Sequence, residues 1–128
     1  MPKRSTRQKR AIHGVLHQAL GPLSANEILD LASEVSPGIS LATVYRVVRE
    51  EADNGTLSVI HLDDKISRYE EADRHHHHHF LCQRCDRAFD IATPCDLVAS
   101  YVPDNFEVTG HEITLYGHCL DCSAPTSS

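Results

Sequence analysis

Apolar positions in the first third of the chain recur with the period of a helix. Ala11/Ile12, Val15/Leu16 and Ala19/Leu20 repeat every four residues, which predicts a helix from Thr6 to Leu20 that Gly21-Pro22 ends. Ser24-Ala25-Asn26-Glu27 has the form of a capping box, with Ser at the N-cap and Glu three residues on. The helix it opens is expected to bury Ile28, Leu31, Ala32 and Val35 and to stop before Pro37-Gly38. Ser40 is the expected cap of a third helix, "LATVYRVVREEADNG", with Leu41, Val44, Val48 and Ala52 turned inward and Asn54-Gly55 as a left-handed stop. The period then changes. "TLSVIHL" and "ISRYE" alternate around Asp63-Asp64-Lys65, the pattern of a β-hairpin. Three short helices followed by a hairpin is the order of a winged helix, a helix-turn-helix with a two-stranded wing.

Beyond Glu70 the apolar pattern thins. "HFLCQRC" and "AFDIA" predict short strands around a knuckle, "CDLVASYV" a short helix, and "FEVTGHEITLYGHC" two strands broken at Gly110. The predicted class is α+β: a winged-helix DNA-binding domain over residues 1–64, then a small α/β metal-binding domain over residues 65–128. The 128 residues suffice for two small domains with thin cores, which need support from metal or a partner chain.

Charge sharpens this division. Residues 1–49 hold seven Lys/Arg against three acids, and residues 50–128 hold five against fifteen. A basic front on an acidic body suggests that one end meets an anion and the other holds cations. No apolar run approaches the roughly 18–20 residues that span a bilayer, and no signal-peptide pattern opens the sequence. A cytoplasmic protein with no membrane partner is expected.

With Leu41, Val44 and Val48 inward, Tyr45, Arg46 and Arg49 project from the opposite face of the third helix, and Ser40 and Thr43 lie at its start. Such a face suits the major groove, where Arg pairs with guanine edges or phosphate and Tyr meets a thymine methyl or a phosphate. Taken alone it reads equally as a solvated helix face. The wing and the basic run Lys3, Arg4, Arg7, Lys9 and Arg10, of which Arg7 is the candidate contact, favour double-stranded DNA.

Four of the five cysteines form two Cys-x-x-Cys pairs, Cys82/Cys85 and Cys119/Cys122. Two such knuckles complete a closed tetrahedral site for structural Zn(II). Cys95 is left over. The run of five histidines before the first knuckle has a different chemistry. If it is extended, side chains alternate by face, so His77 and His79 point one way and His76 and His78 the other. Glu70 and Asp90 are candidates to complete the first pair, and His111 with an acid such as Asp96 the second. Mixed His and carboxylate ligation suits a divalent metal, Mn(II), Zn(II) or Fe(II). The bland alternative is a solvated polyhistidine loop.

An enzyme is not expected. A zinc hydrolase needs an open coordination position and a base, no His-Glu-x-x-His occurs, and Pro94-Cys95 lacks the second cysteine of a deaminase knuckle. No thioredoxin-like βαβ pattern surrounds the cysteine pairs. A metal-binding protein without DNA function would leave Tyr45, Arg46 and the wing without a purpose.

"RSTRQKRAIHGVL", "GPLSANEILDLA", "GISLATVYRVVREEADNGTLSVI", "RYEEADRHHHHHFLCQRCDRAFDI" and "HEITLYGHCLDC" together resemble the ferric uptake regulator superfamily of bacterial metal-dependent repressors, over about residues 4–122. The resemblance implies a homodimer that binds palindromic operator DNA when loaded with its co-repressor metal and so controls metal homeostasis. It puts Tyr45 and Arg46 at base-contacting positions and Cys82, Cys85, Cys119 and Cys122 at the structural zinc. Glu70, His77, His79 and Asp90 fall on the inter-domain sensing site, and His76, His78 and His111 on an additional site whose fourth ligand is open between Asp96 and Cys95. Peroxide sensors share this scaffold and are the alternative. Three features depart from the family. Pro22 stands where a sensing-site histidine is usual, with His61 as a candidate replacement. The extra N-terminal helix is reduced to "MPKRS". The segment between Pro94 and His111 is a few residues short.

Overall fold

The computed structural model of the chain describes residues 4–62, 64–73, 76–92 and 98–123. The chain divides into two compact units, Met1–His75 and His76–Ser128.

The first unit contains α1 (Arg4–Gln18), β1 (Leu23–Ser24), α2 (Ala25–Val35), α3 (Leu41–Asp53), β2 (Leu57–His61) and β3 (Ser67–Glu71). Ala11, Ile12 and Leu16 of α1, Ala25, Ile28 and Ala32 of α2, and Val44, Val47 and Val48 of α3 form one core, which Leu57 and Tyr69 of the wing close. The capping box forms as expected: Ser24 Oγ accepts from the Glu27 amide at 3.2 Å, and Glu27 Oε1 accepts from the Ser24 amide at 2.9 Å. Ser40 caps α3, its Oγ accepting from the Thr43 amide at 3.1 Å. Gly55 supplies the left-handed residue after α3, with φ 82°.

The three helices each differ from expectation in one respect. Leu31 and Val35 are 43% and 71% exposed, because the buried stripe of α2 runs through Ala25, Ile28 and Ala32 at steps of three and four. Likewise α1 ends at Gln18, so Ala19 and Leu20 lie past the helix and Leu20 faces solvent. On α3 the buried stripe is Val44, Val47, Val48 and Glu51, with Leu41 and Ala52 only partly covered.

β2 and β3 pair antiparallel from Leu57↔Glu71 to His61↔Ser67. β1 adds a third strand through Leu23↔Tyr69 and Ser24↔Arg68, giving the order β1-β3-β2. Arg68 lies 1% exposed in this sheet, gripped by Asp64 at 2.9 and 2.7 Å in a two-pronged pair across the wing turn. β3 is therefore held inside the first unit. The partition falls after the hairpin, whereas a boundary at residue 64 would cut it.

The second unit contains β4 (His78–Cys82), β5 (Ala88–Ile91), a 3-10 turn (Val98–Tyr101), β6 (Thr114–Gly117) and α4 (Leu120–Ser123). Its sheet has the order β5-β4-β6, with β4 antiparallel to β5 and parallel to β6. The short helix expected over residues 95–102 is partly outside the described residues, and its described part is the 3-10 turn. Pro103 disfavours helical backbone at residue 102 and stops any extension. Of the two strands expected across 106–119 only β6 forms. β5 and β6 take the two edges of β4, and residues 106–112 have no ladder partner among the described residues.

Candidate metal centres and nucleic-acid face

Alternate histidines along the chain that runs into β4 go to different partners. The ring Nε2 atoms of His76 and His78 each lie 3.0 Å from Nε2 of His111, which arrives just before β6. His77 Nε2 instead lies 3.1 Å and His79 Nε2 3.7 Å from Asp90 Oδ1. Asp90 is there because β5 pairs it with His79. Each triad offers ligand atoms within 4.8 Å of one another, the convergence one ion requires. Burial, with the His111 ring next to it, lowers the His78 pKa. That keeps the imidazole neutral and able to ligate.

Glu70 lies on β3 of the first unit, opposite Ser58. His61, at the end of β2 opposite Ser67, is exposed. Asp96 and Cys95 lie outside the described residues. Pro22 is fully buried and offers no ligand atom.

The four cysteines come together as the two-knuckle pattern requires. Their sulfurs lie within 4.8 Å of one another, and Cys85 Sγ is 3.8 Å from Cys119 Sγ. That is far too long for a disulfide. It equals the edge of a tetrahedron with zinc–sulfur bonds of about 2.3 Å, which works out at about 3.8 Å. The first knuckle turns at Asp86, whose φ of 62° lets the chain fold back. The amides of Cys85 and Cys119 then point at Cys82 Sγ from 3.5 and 3.4 Å. Burial pushes the Cys82 thiol up, yet these amides and that of Arg84 outweigh it and bring the pKa down to about 5. Cys119, where burial also opposes, is lowered by the Cys122 amide and neighbouring sulfur contacts. Burial pushes the Cys122 thiol up to about 12, so an arriving Zn(II) would displace its proton; four sulfurs at this spacing fit that ion and leave no position open for a substrate.

Cross-knuckle arginines were not legible in the cysteine pattern. Arg84 donates to the Cys122 carbonyl at 3.1 Å. Arg87 donates to Cys85 Sγ at 3.2 Å and to Cys119 Sγ at 3.4 Å. Only their position beside a Cys-x-x-Cys pair hinted at this.

In the first unit, α3 turns Tyr45, Arg46 and Arg49 outward, all exposed, with Thr43 half-buried and Ser40 exposed at its cap. Arg7 of α1 is exposed as well. The inner side of α3 hides a residue that apolar pattern alone passed over. Glu51 is buried and takes Lys9 Nζ at 2.9 Å, His13 Nε2 at 3.7 Å and the Thr56 hydroxyl. The Thr56 bond, with Lys9 beside it, holds the Glu51 carboxyl below its ordinary range despite burial. Its signal was positional: Glu51 falls seven residues after Val44, on the buried stripe.

The family model described as the ferric uptake regulator family matches residues 2–116. The peroxide-responsive repressor PerR of Staphylococcus epidermidis is 32% identical over 123 residues, covering 93% of this chain and 81% of that protein. Among solved structures, a zinc-bound manganese uptake regulator is 25% identical, with a TM-score of 0.76 over 88% of each chain. FurB, a zinc uptake regulator from M. tuberculosis, is 32% identical, with a TM-score of 0.52 over 93% of this chain and 95% of that one. Members of the matched family are metal-responsive transcription regulators and not enzymes. With the family model covering most of its length, the chain belongs to the ferric uptake regulator family.

Proposed function

We propose that this regulator is a cytoplasmic repressor that binds palindromic double-stranded operator DNA as a homodimer when a divalent metal occupies the His77–His79–Asp90 site. The observation that carries the reading is the convergence of those two imidazoles, from the start of β4 and the residue before it, with the Asp90 carboxylate of β5. Glu70 of the winged helix is taken as the further ligand from the sequence, with His61 a second candidate. His76, His78 and His111 form the additional site, and Asp96 remains a candidate fourth ligand there. Zn(II) at Cys82, Cys85, Cys119 and Cys122 is architectural. Mn(II), Zn(II) and Fe(II) all accept nitrogen and oxygen donors of this kind.

DNA contact falls to Tyr45, Arg46 and Arg49, with Thr43 and Ser40 at the cap of α3 and Arg7 on the backbone. A ligand set that draws on the winged helix as well as the second unit ties the spacing of the two recognition helices to metal occupancy. Moving a mostly open population to a mostly closed one takes about 3–5 kcal/mol of differential metal binding, within reach of one divalent site. Titrating Mn(II), Zn(II) and Fe(II) into the zinc-loaded protein and following DNA affinity tests the reading. Affinity indifferent to metal and to chelator would remove the switch.

A second reading, a peroxide-responsive repressor, is favoured by the names of relatives 32–33% identical to this chain. Against it stands Pro22, which puts a non-ligand where the family resemblance expects a histidine. Peroxide treatment of the Fe(II)-loaded and Mn(II)-loaded protein separates the two: loss of DNA binding with iron alone supports peroxide sensing.

A further inference from the structure

Four thiolates around one Zn(II) leave the cluster with two excess negative charges, and the knuckle sulfurs differ in exposure. Cys82 and Cys119 are buried and Cys122 partly so, but Cys85 is exposed. An exposed thiolate on a doubly negative centre is the sulfur that an electrophile or an acid reaches first. Its partner is Arg87. The guanidinium donates through Nε to Cys85 Sγ at 3.2 Å and through one terminal nitrogen to Cys119 Sγ at 3.4 Å. The same nitrogen is held by Asp121 Oδ2 at 3.0 Å. The guanidinium carbon also lies 5.5 Å from the centre of the Phe89 ring. One side chain of the first knuckle is thus bound to one sulfur of each knuckle and anchored on both sides.

We infer that Arg87 is a positioning residue that guards the four-cysteine zinc centre, its forked donation to Cys85 and Cys119 withdrawing charge from the exposed sulfur and slowing attack on it. A guanidinium suits this task because its donors lie in one rigid plane and reach two acceptors at once, whereas an ammonium offers a single point charge. Charge-assisted hydrogen bonds to the thiolates stabilise the ligand form and reduce the electron density available to an electrophile. The inference rests on the reading of this centre as zinc-loaded.

Arg84 provides the control. It also crosses from the first knuckle to the second, but its side chain ends on the Cys122 carbonyl and touches no sulfur in the described contacts. A general loosening of the knuckles would follow loss of either arginine; loss of sulfur protection follows only from Arg87.

The test uses the full-length zinc-loaded protein, with zinc per chain measured first. Wild type, Arg87→Ala, Arg87→Lys and Arg84→Ala are treated with iodoacetamide and, separately, with iodoacetate. In each reaction Cys85 Sγ attacks the iodine-bearing carbon, the S–C bond forms as the C–I bond breaks, and iodide leaves. Peptide mass mapping follows Cys85, and a chromogenic chelator follows zinc release. Arg87→Ala is expected to speed both neutral alkylation at Cys85 and zinc release by about tenfold, the loss of one charge-assisted hydrogen bond. It should also lower the iodoacetate-to-iodoacetamide rate ratio, because the cation that attracts the anionic reagent is gone. Arg87→Lys should restore the ratio but only part of the protection, and Arg84→Ala should leave the ratio at the wild-type value. Unchanged alkylation and release in zinc-loaded Arg87→Ala, or equal effects from Arg84→Ala, would overturn the guard. Wild-type protein with no bound zinc would overturn the centre itself and the guard with it, a result told apart by the metal count.

Discussion

The register of α2 separates two residues that periodicity treats alike, and their substitution should differ several-fold in cost. Ile28 is fully enclosed between α1, α2 and α3, while Val35 on the same helix is 71% exposed. Ile28→Ala removes three buried carbons at about 0.8 kcal/mol each. The residual cavity raises the total to about 3–4 kcal/mol. For a domain of this size that lowers Tm by roughly 15 °C or more. Val35→Ala removes atoms already in water and should cost under about 1 kcal/mol. Urea unfolding followed by far-UV circular dichroism reads the right unit, because the three long helices all belong to it. Equal costs for the two substitutions would refute the packing, and with it the orientation that turns Tyr45, Arg46 and Arg49 outward. Zinc content should be the same in both variants.

The Asp64–Arg68 pair gives a pH prediction. The Arg68 fork and the Ile66 amide hold the Asp64 carboxyl below its ordinary 3.8. A depressed carboxyl contributes stability in full above the unfolded value and loses it as pH falls through the folded one. The wild-type urea midpoint should therefore fall below about pH 4, and Asp64→Asn should lower the neutral-pH midpoint while flattening that acid limb; an unchanged acid limb would exclude this carboxyl as a contributor. Cys82→Ser should abolish the tightly held zinc and unfold the second unit, read by metal analysis and by proteolysis after β3. His77→Ala or Asp90→Ala should leave that zinc in place while weakening the exchangeable ion by at least about tenfold, on the scale of disturbed metal sites, read by calorimetric titration. Arg46→Ala should cost about 1–3 kcal/mol of DNA affinity if it reads a base, and should reduce the salt slope by about one if it meets a phosphate.

What the sequence made legible was local. The Ser24–Glu27 box, the Ser40 cap and Gly55 each act through bonds a few residues long, so pattern alone finds them. The sorting of His76 and His78 from His77 and His79 follows from alternation along the chain, which needs no tertiary information. The cysteine pairs carry their own spacing rule. Features set by partners far along the chain were hidden. β1 exists because Leu23 and Ser24 meet Tyr69 and Arg68, and two residues leave no alternation to read. Leu31 and Val35 looked inward because a stripe drawn on one helix cannot say which edge its neighbours cover. Residues 106–112 alternate as a strand does, but both edges of β4 are taken elsewhere. Glu51 and Arg87 are charged residues whose roles depend on Lys9, Thr56 and two sulfurs brought from other segments.

DNA affinity with and without the exchangeable metal addresses the central claim most directly. A palindromic duplex would be enriched from a randomised pool with the Mn(II)-loaded protein. Its binding to the same protein would then be measured by anisotropy before and after a chelator too weak to strip the four-cysteine zinc. The account predicts at least about a hundredfold loss of affinity on chelation, recovered on adding metal back and absent in Asp90→Ala. Tight binding that is the same in all three conditions would contradict it.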